Sequence, residues 1–200
     1  MLKTELRQQM RELKRQFTQQ QLDELSLPII ERLRPRLHEA TTVFAYYSLP
    51  DEVNTHQLVD ELVAAGKTVF LPKVTGDDTM AWYRYTSKKL LERGAFGIQE
   101  PCVPNESYSK FSEFGDQIQC IYSPNSVNLL SNDTETVVLV PGIAFDVHGH
   151  RLGRGKGYYD RFLRMLESFP HVRKIGVCFD FQKVAEVPVD EHDMAVDEVI

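Results

Sequence analysis

The sequence has few cysteines, no long apolar run and no excess of positive charge. Cys102, Cys120 and Cys178 are the three cysteines in 200 residues, and no two of them form a C-x-x-C pair. This argues against a disulfide framework and a cysteine metal cluster, and favours free thiols in a reducing compartment. No apolar stretch approaches the roughly 20 residues that span a bilayer, and the first residues lack the apolar core of a signal peptide. We therefore expect a cytoplasmic protein with no membrane partner.

Negative charge exceeds positive charge, and the excess lies at one end of the chain. The sequence has 23 Lys and Arg against 29 Asp and Glu, a net charge of −6. Residues 180–200 hold seven of the acids and one of the bases, so the preceding 179 residues are balanced at 22 against 22. Nucleic-acid-binding domains are usually strongly basic, so we expect no nucleic-acid partner. An acidic terminal segment is commonly solvated surface.

Two helical segments open the chain. Apolar residues recur every three or four positions over residues 2–17, beside a basic flank, which predicts an amphipathic helix. A second helix is predicted from a capping box at Thr18 to about residue 37, with a kink or restart at Pro28. We expect these helices, within residues 2–37, to pack on the remainder of the protein.

Strand and helix patterns alternate through the rest of the chain. Runs rich in β-branched and aromatic residues predict strands near residues 43–47, 68–71, 82–85, 137–141 and 174–179. This order favours an α/β protein with three α/β/α layers around a largely parallel or mixed sheet, and the length fits a single domain over 1–200. Residues 97–136 are rich in Pro, Ser and Asn, so we expect an irregular connection there with one strand at 118–122.

A glycine-rich segment between a buried strand and a helix carries the most chemistry. Gly153, Gly155 and Gly157 alternate with Arg154 and Lys156. Glycines let backbone N–H groups approach an anion closely, and the N-terminus of the following helix favours negative charge. Arg and Lys add cationic donors, so the pattern predicts a loop that binds a di- or triphosphate. The alternative is a flexible surface turn with solvated charges.

This segment matches neither of two common phosphate-binding motifs. A Walker A loop requires a glycine where His150 stands and a Ser or Thr where Gly157 stands. The dinucleotide motif G-x-G-x-x-G requires a glycine at Tyr158. Asp160 falls in the first turn of the following helix, where an acid either complements the helix dipole or binds Mg²⁺ beside a phosphate.

Three longer motifs identify a family. They are PGxxFDxxGxRLGRGKGYYD at 141–160, SxxDEVxT at 48–55 and VPVxExDM at 187–194. With these motifs the sequence resembles the 5-formyltetrahydrofolate cyclo-ligase family, also called methenyltetrahydrofolate synthetases. The resemblance covers most of the chain and implies an architecture similar to the NagB/RpiA/CoA-transferase-like fold.

The resemblance implies a ligase of one-carbon metabolism that uses ATP and Mg²⁺. Such enzymes cyclise 5-formyltetrahydrofolate to 5,10-methenyltetrahydrofolate and release ADP and phosphate, through a phosphorylated formyl group (an iminium phosphate). The alternative is a non-catalytic relative that binds folate or nucleotide, but the intact RGKGYYD string favours catalysis. We expect the folate substrate with or without a polyglutamate tail, and a monomer, with a dimer as the alternative.

The resemblance also assigns roles to individual residues. The residues implied for ATP are Lys3, Arg7, Arg151, Gly153, Arg154, Gly155, Lys156, Gly157, Tyr158 and Tyr159. Those implied for the folate are Leu49, Glu52, Asn54, Arg154, Gly155, Lys156, Gly157 and Tyr158. The residues implied for catalysis are Arg154, Lys156 and Tyr158, and the magnesium carboxylates are Asp160 and Asp193. Asn54 departs from the family, because that position is often acidic. Residues 97–101 resemble a Gly-Ile-x-Glu-Pro loop beside the site.

Overall fold

The computed structural model describes residues 2–77, 79–94, 99–102 and 135–200. The strand predicted at 118–122 and most of the connection predicted over 97–136 lie outside these residues.

The described helices follow the predicted pattern closely. They are α1 (Lys3–Lys14), α2 (Gln19–Leu37), α3 (His56–Ala64) and α4 (Tyr158–Met165). The capping box of α2 is confirmed, because the Gln21 N–H donates to Thr18 Oγ1 over 3.3 Å and the Thr18 N–H donates to Gln21 Oε1 over 2.8 Å. Of the two alternatives predicted at Pro28, the restart was wrong, since α2 continues through it, and the kink stays a prediction. A proline removes one backbone donor, and the buried residues Ile29, Ile30 and Leu33 on the next turn hold the helix against the core.

The described strands form one large sheet and two small ones. In chain order they are β1 (Thr42–Phe44), β2 (Thr68–Val74), β3 (Met80–Tyr85), β4 (Leu91–Arg93), β5 (Gln99–Pro101), β6 (Thr136–Pro141), β7 (Ala144–Phe145), β8 (Arg151–Leu152), β9 (Arg173–Val177) and β10 (Glu198–Val199). The main sheet, as far as the structure describes it, has six strands in the order β10-β9-β6-β1-β2-β3. Its neighbours are parallel apart from β3, which runs antiparallel to β2. The antiparallel pairs β4–β5 and β7–β8 stand apart.

Alternate residues of the central strands point to opposite faces of the main sheet. Val43 and its register partner Val137 pack in the cluster that includes the apolar residues of α2 and α3. Phe44 belongs to the other cluster, with Trp82 and Phe162 of α4 at ring-centroid distances of 5.1 and 5.6 Å. Helices therefore cover both faces of a mostly parallel sheet, which confirms the predicted α/β layers.

The connections around β1 and β6 create a crevice at one edge of the sheet. The crossover from β1 to β2 uses α3 on one face, whereas the crossover from β6 to β9 uses α4 on the other. The carboxyl ends of the adjacent strands β1 and β6 therefore lead to opposite sides, and ligands of open α/β sheets bind at such a switch point. Helix α1 packs beside this edge, because its buried residues Leu6 and Met10 contact the cluster of Ala144 and Leu152. Within the described residues, no helix has the length and apolar character to cross a membrane.

Candidate active site

A cavity of about 560 Å³ lies at the carboxyl edge of the main sheet. One wall is the loop 46–52, which follows β1. A second wall comes from β2, β3 and β5, and a third from residues 141–160 between β6 and the start of α4. Three walls built from segments distant in sequence thus meet around one opening.

The glycine-rich segment forms the cationic wall of this cavity. Helix α1 supports it, since Arg7 Nε donates to the carbonyl of Gly153 over 2.9 Å. On the other side Arg161 Nη2 donates to the carbonyl of Lys156 over 2.9 Å. The Lys156 side chain is exposed and, within the residues the structure describes, has no carboxylate partner. Its ammonium is available to an anion in the cavity.

Arg151 is a buried cation between the loop and α4. Its side chain is 4% exposed, and Nη2 donates to Asp160 Oδ1 over 2.8 Å. The guanidinium lies 5.6 Å from the ring centroid of Tyr159, and burial raises the pKa of the Tyr159 hydroxyl well above its usual value. Among the described residues, the buried Arg151 Nε and Tyr159 hydroxyl have no hydrogen-bond partner. Both residues line the cavity, but these two atoms are themselves buried, so they are unsatisfied polar groups within its wall.

Asp160 lies beside the segment that carries Asp193. The Met194 N–H lies 3.4 Å from Asp160 Oδ1, and Asp193 Oδ2 accepts from the ammonium of Lys3 and from the Asp190 N–H. Each carboxylate therefore uses one oxygen in these bonds and retains the other. The described residues contain no group of three or more metal-ligating side chains. Two carboxylates fit Mg²⁺, which in nucleotide sites takes one or two of them with phosphate oxygens and water.

On the opposite side of the cavity Arg154 pairs with two acids. Its Nη2 donates to Asp51 Oδ1 over 2.6 Å and to Glu52 Oε1 over 3.1 Å. The other oxygen of Glu52 accepts from the Leu49 N–H over 3.0 Å, which folds the loop after β1 back on itself. Leu49, Glu52 and Arg154 are thus assembled into one surface.

The structure places Asn54 away from the cavity wall. Its Oδ1 accepts from the His56 N–H over 3.1 Å at the start of α3, and its Nδ2 donates to Asp23 Oδ1 over 3.0 Å. The side chain caps a helix and joins it to α2. An acid at this position would lie beside the Asp23 carboxylate, which favours the neutral amide found here.

Most of the residues predicted for the site are brought together. Those that line the cavity are Leu49, Glu52, Arg151, Gly153, Arg154, Lys156, Gly157, Tyr158, Tyr159 and Asp160. Lys3, Arg7, Gly155 and Asp193 are outside its lining, although Arg7 contacts Gly153 and Lys3 contacts Asp193. Sequence reasoning missed the apolar residues Tyr46, Tyr47, Pro72, Val74 and Met80 and the acid Asp51. The signal for Tyr46 and Tyr47 was their position at the carboxyl end of a predicted strand.

The fold and the cavity define an α/β protein with a cleft at the carboxyl edge of its sheet, one wall of which carries the basic side chains of Arg151, Arg154 and Lys156. The sequence model of the 5-formyltetrahydrofolate cyclo-ligase family matches residues 1–200, and the chain belongs to that family.

Individual relatives match along most of their lengths. The mouse 5-formyltetrahydrofolate cyclo-ligase is 30% identical over 100% of this chain and 91% of its own. The Escherichia coli protein of the same name is 26% identical over 95% of this chain and 94% of its own.

Two solved structures share the fold. The 5,10-methenyltetrahydrofolate synthetase of Aquifex aeolicus aligns with a TM-score of 0.73 and 32% identity, covering 100% of this chain and 89% of that one. The synthetase of Mycoplasma pneumoniae aligns with a TM-score of 0.70 and 22% identity over 100% and 98%. The likeness to isomerases and CoA-transferases stays a prediction.

Proposed function

We propose that this protein is a 5-formyltetrahydrofolate cyclo-ligase that uses ATP and Mg²⁺. It converts 5-formyltetrahydrofolate to 5,10-methenyltetrahydrofolate and releases ADP and phosphate. Family membership supports the conversion. The observation that best supports ATP as the second substrate is the cationic loop 151–158, which lines the same cavity as the Leu49–Glu52 surface and the carboxylate of Asp160.

The cavity has the size and lining that a folate requires. Ligand pockets commonly measure about 300–1,000 Å³ and combine apolar walls with a few polar groups, and this one measures about 560 Å³. Tyr46, Tyr47 and Met80 offer flat or flexible apolar surfaces to an aromatic ring system. Glu52 and Arg154 supply the polar atoms that orient it.

The other side of the cavity suits a nucleoside triphosphate. Lys156 and Arg7 contribute positive charge from the loop and from α1, and the loop leads directly into the N-terminus of α4. Arg151 adds a buried positive charge to the same wall. Asp160 and Asp193 would hold Mg²⁺, which when bound neutralises phosphate charge.

The proposed chemistry requires mainly positioning and charge neutralisation. A formyl oxygen leaves readily only after phosphorylation. The formyl oxygen therefore first attacks the γ-phosphate of ATP and releases ADP, and N10 then attacks the formyl carbon, which closes the ring as phosphate leaves. We expect Arg154 and Lys156 to hold the transferred phosphoryl group while the cavity walls exclude water. The Tyr158 hydroxyl donates to the carbonyls of Gly76 and Asp77 over 3.2 and 3.0 Å. This contact ties the start of α4 to the segment between β2 and β3 and closes one side of the cavity.

A spectrophotometric assay tests the proposal directly. Protein, Mg-ATP and 5-formyltetrahydrofolate should produce the near-ultraviolet absorbance of the methenyl product, with one ADP formed per product molecule. Omitting ATP should abolish the rise. Tight binding of 5-formyltetrahydrofolate with no ATP-dependent product would instead identify the non-catalytic relative.

A further inference from the structure

A buried lysine behind the cavity contacts the loop that carries the Leu49–Glu52 surface. Lys14 is the last residue of α1, its side chain is 9% exposed, and its ammonium donates to the main-chain carbonyl of Asp51. The same ammonium lies 3.3 Å from Asp51 Oδ2. Burial lowers the pKa of Lys14, and the Asp51 carboxylate opposes that effect. Lys14 does not line the cavity, so any role in ligand binding is exerted through Asp51.

The Asp51 carboxylate joins Lys14 to Arg154. Oδ2 faces Lys14, whereas Oδ1 accepts from Arg154 Nη2 over 2.6 Å. Arg154 also donates to Glu52, and Glu52 in turn accepts from the Leu49 N–H. The charges therefore alternate in sign from α1 to the cavity wall, and each one orients the next.

The Arg154 side chain needs these partners because its own backbone does little to fix its orientation. It stands between two glycines, and its side chain is 47% exposed. Its orientation is set by Asp51 and Glu52, which belong to a different loop. Helix α1 is fixed in turn by its buried residues Leu6 and Met10, so Lys14 transmits a rigid position to the loop.

We propose that Lys14 and Asp51 are positioning residues that orient Arg154 and Glu52 for the folate substrate. The identity of that substrate rests on the proposed function. A purely structural ion pair between α1 and the loop would instead affect stability without a selective effect on folate.

Five variants separate these two roles. Lys14→Met keeps a side chain of similar length and removes the charge, whereas Lys14→Arg keeps the charge. Asp51→Asn removes the carboxylate, and a double variant combines Lys14→Met with Asp51→Asn. Arg11→Met is the matched control, because Arg11 is an exposed base on the same helix. The readouts are the dissociation constant of 5-formyltetrahydrofolate without ATP by calorimetry, both KM values, and urea unfolding.

We expect Lys14→Met to weaken folate binding and to raise the folate KM about tenfold, the effect of one lost charged hydrogen bond. The ATP KM should rise less than the folate KM, because Lys156 and the loop backbone, which Lys14 does not contact, also hold the phosphates. Stability should also fall, because the Asp51 carbonyl and carboxylate lose their buried partner. Lys14→Arg should restore binding, and adding Lys14→Met to Asp51→Asn should weaken binding no further.

Three results would each overturn the proposal. Lys14→Met and Arg11→Met could change folate binding equally, or Lys14→Met could shift the folate KM and the ATP KM equally. The effects of Lys14→Met and Asp51→Asn on folate binding could also be fully additive in the double variant. A wild-type protein that binds folate without turnover would refute the proposed function alone, since the dissociation constants still decide the role of Lys14. A wild-type protein that binds no 5-formyltetrahydrofolate would overturn both.

Discussion

Arg151 and Asp160 form a charged hydrogen bond of 2.8 Å between β8 and the first turn of α4. Asp160→Asn keeps an oxygen acceptor for this bond and removes the negative charge that would bind Mg²⁺. We expect the Mg²⁺ concentration for half-maximal rate to rise about 10- to 100-fold, as when a metal site loses support. Initial rates against free Mg²⁺ at saturating ATP measure it. Glu186→Gln, at an exposed acid outside the cavity lining, is the control, and an unchanged Mg²⁺ titration in Asp160→Asn would remove this residue from the metal site.

Lys156→Ala should impair ATP use and leave the fold intact. The side chain is exposed, so its removal leaves no buried gap. Loss of a charged contact to a phosphate should lower kcat/KM for ATP by at least about tenfold. Steady-state kinetics measure this, with thermal unfolding to verify an unchanged midpoint. Lys89→Ala removes another exposed ammonium and should be neutral. A Lys156→Ala enzyme with wild-type kinetics would contradict the role of Lys156.

Two glycines with similar φ angles allow the effect of backbone strain on stability to be separated from an effect on ATP binding. Gly66 has φ +80° and open space where a Cβ would lie, whereas Gly157 has φ +67° and a Cβ there would lie 2.8 Å from Arg161 Nη1. Alanine at either position should cost about 1–2 kcal/mol of unfolding free energy. Gly157→Ala alone should also raise the ATP KM, because it displaces the guanidinium that holds the Lys156 carbonyl. Urea unfolding and kinetics on both variants make the comparison, and equal ATP KM values would refute it.

The buried Asp146 carboxylate should make stability depend on pH. It accepts from the N–H groups of His148, His150 and Val187 and lies 2.9 Å from His150 Nδ1. Burial alone would raise the pKa of Asp146, but these hydrogen bonds outweigh it and lower the pKa. The ionised form therefore stabilises the fold above the unfolded-state pKa of about 3.9, and this contribution is lost as the pH falls through the lower folded-state value.

Asp146→Asn should accordingly lower the unfolding free energy at pH 7 by about 1–3 kcal/mol. The difference in unfolding free energy between the variant and wild type should narrow below about pH 4, where the carboxylate of the unfolded chain begins to protonate, and should be lost as the native carboxylate protonates at lower pH. Urea unfolding of both proteins over a pH series tests this. A gap of constant size from neutral to acidic pH would show that charge at Asp146 is not what stabilises the fold.

Local patterns predicted much of this architecture. The Thr18 capping box, the apolar run of β6 and the glycine-rich entry into α4 all depend on residues near one another in sequence, and the structure contains each of them. The helix does not restart at Pro28, because tertiary burial of the next turn outweighs one missing backbone donor.

Long-range partners were beyond the reach of sequence patterns. Nothing in the sequence pairs Lys14 with Asp51 or turns Asn54 toward Asp23, since each contact depends on how α1 and α2 dock against the loop after β1. Within the glycine-rich motif, the sequence also did not show that Arg151 is buried against Asp160 rather than free for a ligand. Motif spacing identifies residues that lie in one site, but the packing of helices and loops determines which of their atoms already form hydrogen bonds within the protein.

The contacts of Lys3 have a consequence for how the protein is made. Its partners Asp190 and Asp193 follow it by 187 and 190 residues. Because the chain is synthesised from its N-terminus, α1 leaves the ribosome long before these carboxylates exist, and Lys3 can pair with them only after almost the whole chain has been made. The contact between α1 and residues 190–193 is therefore among the last to form, and a nascent chain that stalls before residue 190 would carry Lys3 without these partners.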